Sequence, residues 1–461
     1  MVNLFDLLPN ELIAKISDYA DSKTKRVLSL LDRRINAIVL DAVKCIRVFP
    51  PYCSSYGSHP SDIPQDILVK VIGRYPKLEQ IILGPPKHRN GIGEFGVKEL
   101  PYIQSLISHL ESDSGKNQLS SVKRIQYREI TQDWLRGLDK EKAKELNRVL
   151  LNSLGHRGLE NVRIKAYHNG SILTETEIQP ILNKSPDLKT FIFDGLQSSQ
   201  TVSLSFANQT QLTKVKLLHW NGDASTVDSL KNCKELEELI INYGEYSSGK
   251  ITAILSANHP WKLTHLELKG VDRLNDAELD AITKNLPSLE CLNITLKGIT
   301  DEGMELLGRN CPNLKALKFS NESLTNSGLD RLTQYLPHLE TISFELAYNI
   351  TEDGIAAIAK NCKNLRLIQV IHYDKIEKSG IDALSANCQD LKVVNFSHGG
   401  SISLDGLYQL VAQKPELQYV ELNNVRDIEE EKIVEFYQAF PQFIKKIPYI
   451  SSVKKLHNLT I

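Results

Sequence analysis

Hydrophobic residues recur along most of the chain with a period of 25 or 26 residues. In the second half each period opens on a leucine, at Leu263, Leu289, Leu314, Leu339, Leu365, Leu391 and Leu417. The first residues of a period, as in LECLNIT, alternate between apolar and polar, which predicts a strand with one buried face. The residues that follow, as in GITDEGMELLGRNC, have apolar positions at helical spacing, and Thr300 or Asp301 can cap the helix start. Each period therefore predicts one strand and one helix.

One strand and one helix of this length cannot bury their own apolar faces, so neighbouring units must stack. Less regular copies begin at Leu236, Leu212, Leu188 and Leu159, and two more begin near Leu119 and Leu78. Insertions such as 133–156 lengthen the first few. The prediction is an α/β solenoid over residues 78–442, with about a dozen units that are irregular before residue 236. A curved parallel sheet would lie inside and the helices outside.

The unit resembles the cysteine-containing subtype of leucine-rich repeat, whose typical sequence is L-x-x-L-x-L-x-x-C-x-x-I-T-D-x-G-L-x-x-L-a-x-x-C-P-x. The match is close over 263–416. Cys233, Cys311, Cys362 and Cys388 each follow an asparagine at the end of a predicted helix, and we expect them to be buried core residues. The chain has seven cysteines and no C-x-x-C pair, which predicts neither disulfides nor a zinc site. A reducing compartment, cytoplasm or nucleus, is the expected location.

Residues 1–48 have a different pattern, which predicts a small unit of three short helices. Pro9 suits the first turn of a helix that carries Leu12, Ile13 and Ile16 along one side. The third helix is predicted from Ile35, Ile38, Val39, Ala42, Val43 and Ile46. Physical reasoning leaves two interpretations open. The unit caps the first repeat, or its remaining apolar surface binds a partner.

The start L-P-x-E-L-I-x-x-I, the apolar middle helix and the pair Arg33-Arg34 resemble an F-box, with Ile35 where that motif typically has tryptophan. An F-box followed by leucine-rich repeats is similar to the F-box/leucine-rich-repeat proteins, substrate receptors of Skp1–cullin–F-box E3 ubiquitin ligases. The resemblance implies a non-catalytic subunit that directs a protein substrate to ubiquitin-dependent proteasomal degradation. It also implies that the Skp1 adaptor, and through it a cullin-RING ligase, is bound by Leu7, Leu8, Pro9, Leu12, Ile13 and Ile16. The alternative is a repeat scaffold or inhibitor with no ligase role, in which 1–48 serves only as a cap.

Substrate would bind on the concave face, where residues between the strand leucines point away from the core. The candidates on this face and its flanking loops are Lys214, Lys216, Trp220, Asn242, Tyr243, Glu267, Lys269, Gln369, His372, Tyr373, Asn395, His398, Tyr419 and Glu421. Four of them, Trp220, Tyr243, Tyr373 and Tyr419, are interpreted as exposed aromatic anchors or as ordinary partly buried loop residues. The mixed polar character of the set favours a protein or peptide ligand.

The sequence gives little support to nucleotide binding, hydrolysis, or binding of nucleic acid or membranes. Gly91, Gly93 and Gly96 spell G-x-G-x-x-G, but the repeat alignment places Gly96 where Gly303 stands, so the repeat accounts for the motif and no nucleotide cofactor is predicted. The hydrolase motifs G-x-S-x-G and H-E-x-x-H are absent. With 55 basic and 56 acidic residues, no net field attracts nucleic acid or membrane. We therefore predict a binding protein without cofactor or metal.

Two segments flank the repeats in this prediction. Residues 49–77 are predicted to be a linker and N-terminal cap. Residues 443–461 lose the repeat pattern and contain Lys445, Lys446, Lys454 and Lys455 without an acidic residue. They are predicted to be a basic cap or tail on the last unit, with a path back along the concave face as the alternative.

Overall fold

The chain forms two compact units, Met1–Glu235 and Leu236–Ile461. The computed structural model describes residues 45–48, 78–83, 100–130, 139–166, 172–195, 202–220, 224–246, 255, 261–271 and 274–443. The F-box-like helices predicted before residue 45, the linker 49–77 and the segment 444–461 lie outside the described residues, as does the glycine motif.

The first unit contains six parallel strands that pair in chain order. They are β1 (Cys45–Val48), β2 (Gln80–Leu83), β3 (Arg124–Arg128), β4 (Asn161–Lys165), β5 (Thr190–Asp194) and β6 (Lys214–Leu218). The helices described here are α1 (Leu100–Glu111), α2 (Asp113–Leu119), α3 (Lys140–Leu154), α4 (Glu175–Lys184) and α5 (Ala224–Asp228), followed by a 3-10 turn at Ser229–Asn232.

Strand β1 corrects the predicted end of the N-terminal helical unit. Cys45–Val48 pairs with β2 in parallel register, with Ile46 opposite Ile81 and Val48 opposite Leu83. The prediction of helix up to residue 48 was therefore wrong for these four residues. The sequence CIRV also fits the two-residue period of a strand, and the two prolines that follow at 50–51 disfavour helical backbone before them. Within the described residues the sheet thus starts with β1, ahead of the predicted start of the repeats at residue 78.

Helix α3 corrects the predicted insertion at 133–156. Asp139 caps this helix by accepting a hydrogen bond from the backbone N–H of Lys142 at 2.8 Å. Leu146, Leu150 and Leu154 are buried along one side. These residues recur every four positions and face the core, so the segment holds the helix of its repeat.

The second unit repeats one strand and one helix per period. Its strands are β7 (Glu238–Tyr246), β8 (His265–Val271), β9 (Cys291–Thr295), β10 (Ala316–Ser320), β11 (Thr341–Glu345), β12 (Leu367–Ile371), β14 (Val393–Ser397) and β16 (Tyr419–Glu421), all parallel. A separate pair joins β13 (Lys375–Ile376) to β15 (Ser401–Ile402). The helices are α6 (Asp276–Lys284), α7 (Asp301–Asn310), α8 (Asn326–Thr333), α9 (Glu352–Asn361), α10 (Lys378–Asn387), α11 (Leu404–Gln413) and α12 (Glu430–Ala439), with a final 3-10 turn at Pro441–Phe443.

The predicted period is confirmed in this unit. Each strand from β8 to β16, the short pair β13 and β15 aside, begins two residues after one of the seven predicted leucines. The buried leucine position of each strand lies on the helix side of the sheet. Leu292, Leu317 and Ile342 occupy this position on neighbouring strands, where they are paired in register. Each is at most 1% exposed. The fold is a leucine-rich-repeat-like α/β solenoid.

The cysteines at the helix ends are core residues, as predicted. Cys233, Cys311, Cys362 and Cys388 are all 0% exposed. The thiol of Cys311 lies 3.7 Å from the carbonyl oxygen of Leu286 in the preceding repeat, close enough for a weak S–H···O bond. Burial raises the pKa of Cys311 and Cys362 to about 12, so both thiols stay protonated at neutral pH.

A ladder of hydrogen bonds links the helix N-termini of successive repeats and accounts for the T-D-x-G part of the motif. Asp301 of one repeat accepts from the backbone N–H of Thr325 in the next repeat at 3.2 Å, and also from its hydroxyl. The same pair recurs between Asp276 and Thr300. Gly328 lies where a Cβ atom would be 2.1 Å from the Asp301 carboxylate. Glycine is therefore needed at this position so that the aspartate can reach the threonine.

Candidate functional site

The predicted binding face is the inner face, defined as the side of each sheet whose side chains alternate with the buried leucines. In the first unit Lys214 and Lys216 lie on this face of β6 and are half-buried. On the neighbouring strands Arg163 is exposed and Ile192 is half-buried, opposite Lys216 in register. The inner face of this unit therefore reaches solvent, and both predicted lysines belong to it.

Trp220 is not an exposed anchor, so that interpretation was wrong. Its side chain is 0% exposed, and its indole N–H donates to the carbonyl oxygen of Val202 at 2.8 Å. An indole that is buried and hydrogen-bonded in this way holds a loop in place and offers no surface to a partner.

On the inner face of the second unit, the side chains form two rows. The first row is His265, Cys291, Ala316, Thr341, Leu367, Val393 and Tyr419. The second row is Glu267, Asn293, Lys318, Ser343, Gln369, Asn395 and Glu421. From Cys291 to Tyr419 every member of the first row is at most 8% exposed. The predicted anchor Tyr419 is thus buried, in a cluster with Leu367 and Val393, and that interpretation was wrong.

The second row brings several predicted residues together in polar contacts. The carboxylate of Glu267 accepts from the amide of Asn242 at 3.0 Å and pairs with the ammonium of Lys269 at 3.2 Å. At the other end the amide of Asn395 donates to Glu421 at 2.6 Å. Burial raises the pKa of Glu421, and the nearby charge of His398 lowers it in part.

Gln369 and its neighbours form the middle of the second row. The hydroxyl of Ser343 donates to the amide oxygen of Gln369 at 2.8 Å. The ammonium of Lys318 lies 3.2 Å from the carboxylate of Glu345 on the neighbouring strand. Glu345 lies two residues beyond Ser343, the register partner of Lys318. Lys318 is 6% exposed, whereas the side chain of Glu345 remains partly open to water. The row is polar along its length but offers few open hydrogen-bonding groups.

A second surface lies where the strands of this unit end. Leu346, His372 and His398 each follow a strand directly, and Asn424, three residues after β16, is the register equivalent of His398. All four have left-handed backbone, with φ of 62°, 60°, 57° and 52°. Such backbone is uncommon for residues other than glycine, and its repetition in four successive repeats marks one conformation that turns the chain out of the sheet.

Aromatic and polar side chains collect at this edge, which we name the histidine edge: Tyr348, His372, His398 and Asn424. The rings of His372 and His398 have centroids 5.6 Å apart, and the ring of Tyr348 lies 6.4 Å from that of His372. The amide of Asn424 is 3.1 Å from Nδ1 of His398. Tyr348 is 52% exposed. The sequence identified both histidines but missed Tyr348 and Asn424, although aligning the residues after each strand would have shown Asn424.

Tyr373 lies beside this edge but points the other way. It is 0% exposed and packs edge-on against Phe396, with ring centroids 5.9 Å apart. The left-handed residue before it turns its side chain into the core, so its interpretation as an exposed anchor was wrong. Burial raises the pKa of its hydroxyl. The side chain of Tyr243 lies outside the described part, and its role stays a prediction.

Within the described ranges, no group of three or more His, Cys, Asp or Glu side chains is arranged to hold a metal ion. Among the described helices, none combines the length and the apolar character needed to cross a bilayer.

No protein-family model matches the chain, and no curated protein does. Among solved structures the chain is similar to the crystal structure of the Rad7 and Elc1 complex from yeast, with 14% sequence identity and a TM-score of 0.39. That match covers 91% of this chain and 85% of the other. At this level of similarity no function is transferred.

Proposed function

We propose that this chain is the substrate-recognition subunit of a Skp1–cullin–F-box E3 ubiquitin ligase, acting in the cytoplasm or nucleus. One observation carries the proposal: a segment that resembles an F-box, with the start LPNELIAKI, is followed directly by a leucine-rich-repeat array whose first strand is Cys45–Val48. One part of the chain would bind the adaptor and the other a protein substrate. The chain would make no covalent bond itself.

The adaptor site in this proposal is the leading segment, which lies outside the described residues. Its members are Leu7, Leu8, Pro9, Leu12, Ile13 and Ile16. They would pack an apolar stripe against Skp1, which connects the chain to the cullin-RING ligase. The chain would raise the rate of ubiquitin transfer through proximity, because a bound substrate has a high effective concentration near the conjugating enzyme.

In this proposal each unit offers its own candidate substrate surface: the histidine edge in the second unit, and the inner face in the first. The edge offers an exposed tyrosine beside two histidine rings and an amide, a mixture common in protein interfaces. On the first unit, the half-buried Lys214 and Lys216 add positive charge. These groups favour a protein or peptide ligand.

Purified full-length chain is expected to bind purified Skp1. The double substitution Leu8→Asp with Pro9→Ala should weaken this binding at least about 100-fold, or roughly 3 kcal/mol. A carboxylate in an apolar contact must lose its hydration without gaining a partner. Calorimetric titration measures the affinity. Lys15→Ala, on a polar position of the same predicted helix, is the matched control and should bind as the wild type does. Undiminished affinity of the double variant would contradict the placement of the adaptor site.

A second candidate function, a repeat scaffold capped by its N-terminal segment, is favoured by one observation. Strand β1 belongs to the sheet, so the chain before residue 45 leads straight into the first repeat, as a cap does. In that case wild-type chain fails to bind Skp1, and Leu8→Asp with Pro9→Ala lowers the thermal stability of the array.

A further inference from the structure

We propose that residues 444–461 bind along the inner face of the second unit, over the first row from Cys291 to Tyr419, and occupy it as an intramolecular ligand. This goes beyond the proposed receptor function and does not depend on the ligase role. It concerns which residues fill this face when no substrate is bound.

The first observation is the burial of side chains that point away from the core. Thr341 on β11 and Thr190 on β5 are the same residue type at the same strand position, yet Thr341 is 0% exposed whereas Thr190 is half-buried. Leu367, in the next strand beside Thr341, is 1% exposed. Neighbouring strands alone stand about 4.8 Å apart and leave the outer side of such side chains open. The burial therefore indicates a further layer of chain on the second unit.

The second observation is that polar atoms on this face lack partners. The hydroxyl of Thr341 and the amide nitrogen of Asn293 are buried and make no hydrogen bond. Asn293 is 3% exposed. Buried polar groups in proteins are nearly always hydrogen-bonded, because leaving one unpaired costs free energy. The face therefore suits a ligand that carries hydrogen-bonding groups as well as apolar ones, as a peptide segment does.

The position where the described chain ends identifies the segment. The turn Pro441–Phe443 packs against β16, the strand at the edge of this sheet, and Phe443 is 3% exposed. From β16 to β9 there are five strand spacings, or about 24 Å. The 18 residues from 444 to 461 can span up to about 60 Å when extended. The segment thus begins at the edge of the row and is long enough to cover it.

The composition of the segment fits the face. Its sequence, IKKIPYISSVKKLHNLTI, combines apolar residues with four lysines and contains no acidic residue. The strands of the second unit contribute more glutamates than lysines to the inner face: Glu238, Glu267, Glu345 and Glu421 against Lys269 and Lys318. The apolar members of the first row would be covered by the isoleucines and the tyrosine, while the lysines would lie near the glutamates. The attachment at Phe443 beside β16 would fix the direction of the segment. A substrate of this face would have to displace it.

Alkylation of thiols, resolved by peptide mass spectrometry, tests the proposal on the intact protein. Cys291 lies in the first row and is 4% exposed, whereas Cys311 and Cys362 lie in the core on the other side of the sheet. In a chain that ends at Phe443, we expect the alkylation rate of Cys291 to rise at least about 10-fold while Cys311 and Cys362 remain protected. A synthetic peptide of residues 444–461, added in excess, should restore protection of Cys291.

A full-length variant decides the question if the shortened chain fails to fold. Substitution of Lys445, Lys446, Lys454 and Lys455 by glutamate should expose Cys291, while substitution of the same four by arginine should leave it protected. Equal protection of Cys291 in the full-length, shortened and glutamate forms would overturn the proposal, because something else then covers the row. Equal reactivity in all three would overturn it too, because the row is then open. Skp1 binding by these variants should equal that of the wild type, so this result is separable from the test of the adaptor site.

Discussion

Substitution of Asn147 by alanine is expected to lower the free energy of unfolding by about 4 kcal/mol. Its side chain is 0% exposed and makes four hydrogen bonds. The amide nitrogen donates to the carbonyl oxygens of Ile130 at 2.8 Å and Ala143 at 2.7 Å, and the amide oxygen accepts from Ile130 N–H at 3.0 Å and the Tyr127 hydroxyl at 2.5 Å. Alanine leaves the Tyr127 hydroxyl and the backbone N–H and C=O of Ile130 without these partners, and each unpaired buried group costs about 1–3 kcal/mol. The carbonyl of Ala143 keeps the helical hydrogen bond from the backbone N–H of residue 147.

Urea unfolding of the full-length protein measures this loss. Asn152→Ala on the same helix is the matched control and should change stability by less than about 0.5 kcal/mol, because Asn152 is only half-buried. Adding Tyr127→Phe to Asn147→Ala should recover about 1 kcal/mol, because it removes the hydroxyl that lost its partner. Burial and then the charge of Glu129 raise the pKa of that hydroxyl, so it remains a donor at neutral pH. A loss below about 1 kcal/mol for Asn147→Ala would contradict the importance of this network.

Substitution of Gly328 by alanine is expected to destabilise the second unit by about 2–3 kcal/mol. The new Cβ would lie 2.1 Å from Oδ1 of Asp301 and 2.8 Å from a methyl group of Leu324. To make room the carboxylate must move, and it then loses its hydrogen bonds to the backbone and hydroxyl of Thr325. Alanine favours a helix over glycine by about 1 kcal/mol, which offsets only part of the loss.

Gly406 gives the matched control for this substitution. It occupies the same helical position three residues after the cap, here Ser403, but the preceding repeat has no aspartate against it. The nearest atom to an added Cβ would be Cβ of Ile381, at 3.1 Å. Gly406→Ala should change stability by less than about 1 kcal/mol in the same urea experiment. Equal losses at both glycines would show that the aspartate ladder contributes nothing to the difference.

The repeat architecture could be predicted from the sequence because it depends on local periodicity. A leucine every 25 or 26 residues fixes where each strand begins, and the core position of the cysteines follows from the same alignment. Strand β1 was missed because its four residues fit both the helical spacing that ends at Ile46 and the two-residue period of a strand, and the pairing with β2 decides between them. The helix Lys140–Leu154 was missed because it departs from the length of its repeat.

The candidate site could be predicted only in part. Alternation along a strand identifies which residues lie on the inner face, and it placed Glu267, Asn395 and Glu421 there correctly. It gives no information about what covers that face, so it could not decide whether Tyr419 is an exposed anchor or a buried residue. Left-handed backbone at His372 is not encoded by a glycine or another local signal, and it reverses the direction of Tyr373. The exposure of these side chains depends on contacts between residues far apart in the sequence.

The receptor role is tested most directly by following ubiquitin attachment in cells that contain either wild-type chain or the Leu8→Asp, Pro9→Ala variant. Proximity labelling identifies the proteins bound by each form, and mass spectrometry of ubiquitin remnants measures their modification. A substrate receptor predicts that both forms bind the same proteins, and that with the variant these proteins lose most of their ubiquitin remnants and have longer half-lives. The same bound proteins with unchanged ubiquitin remnants and unchanged half-lives would contradict it.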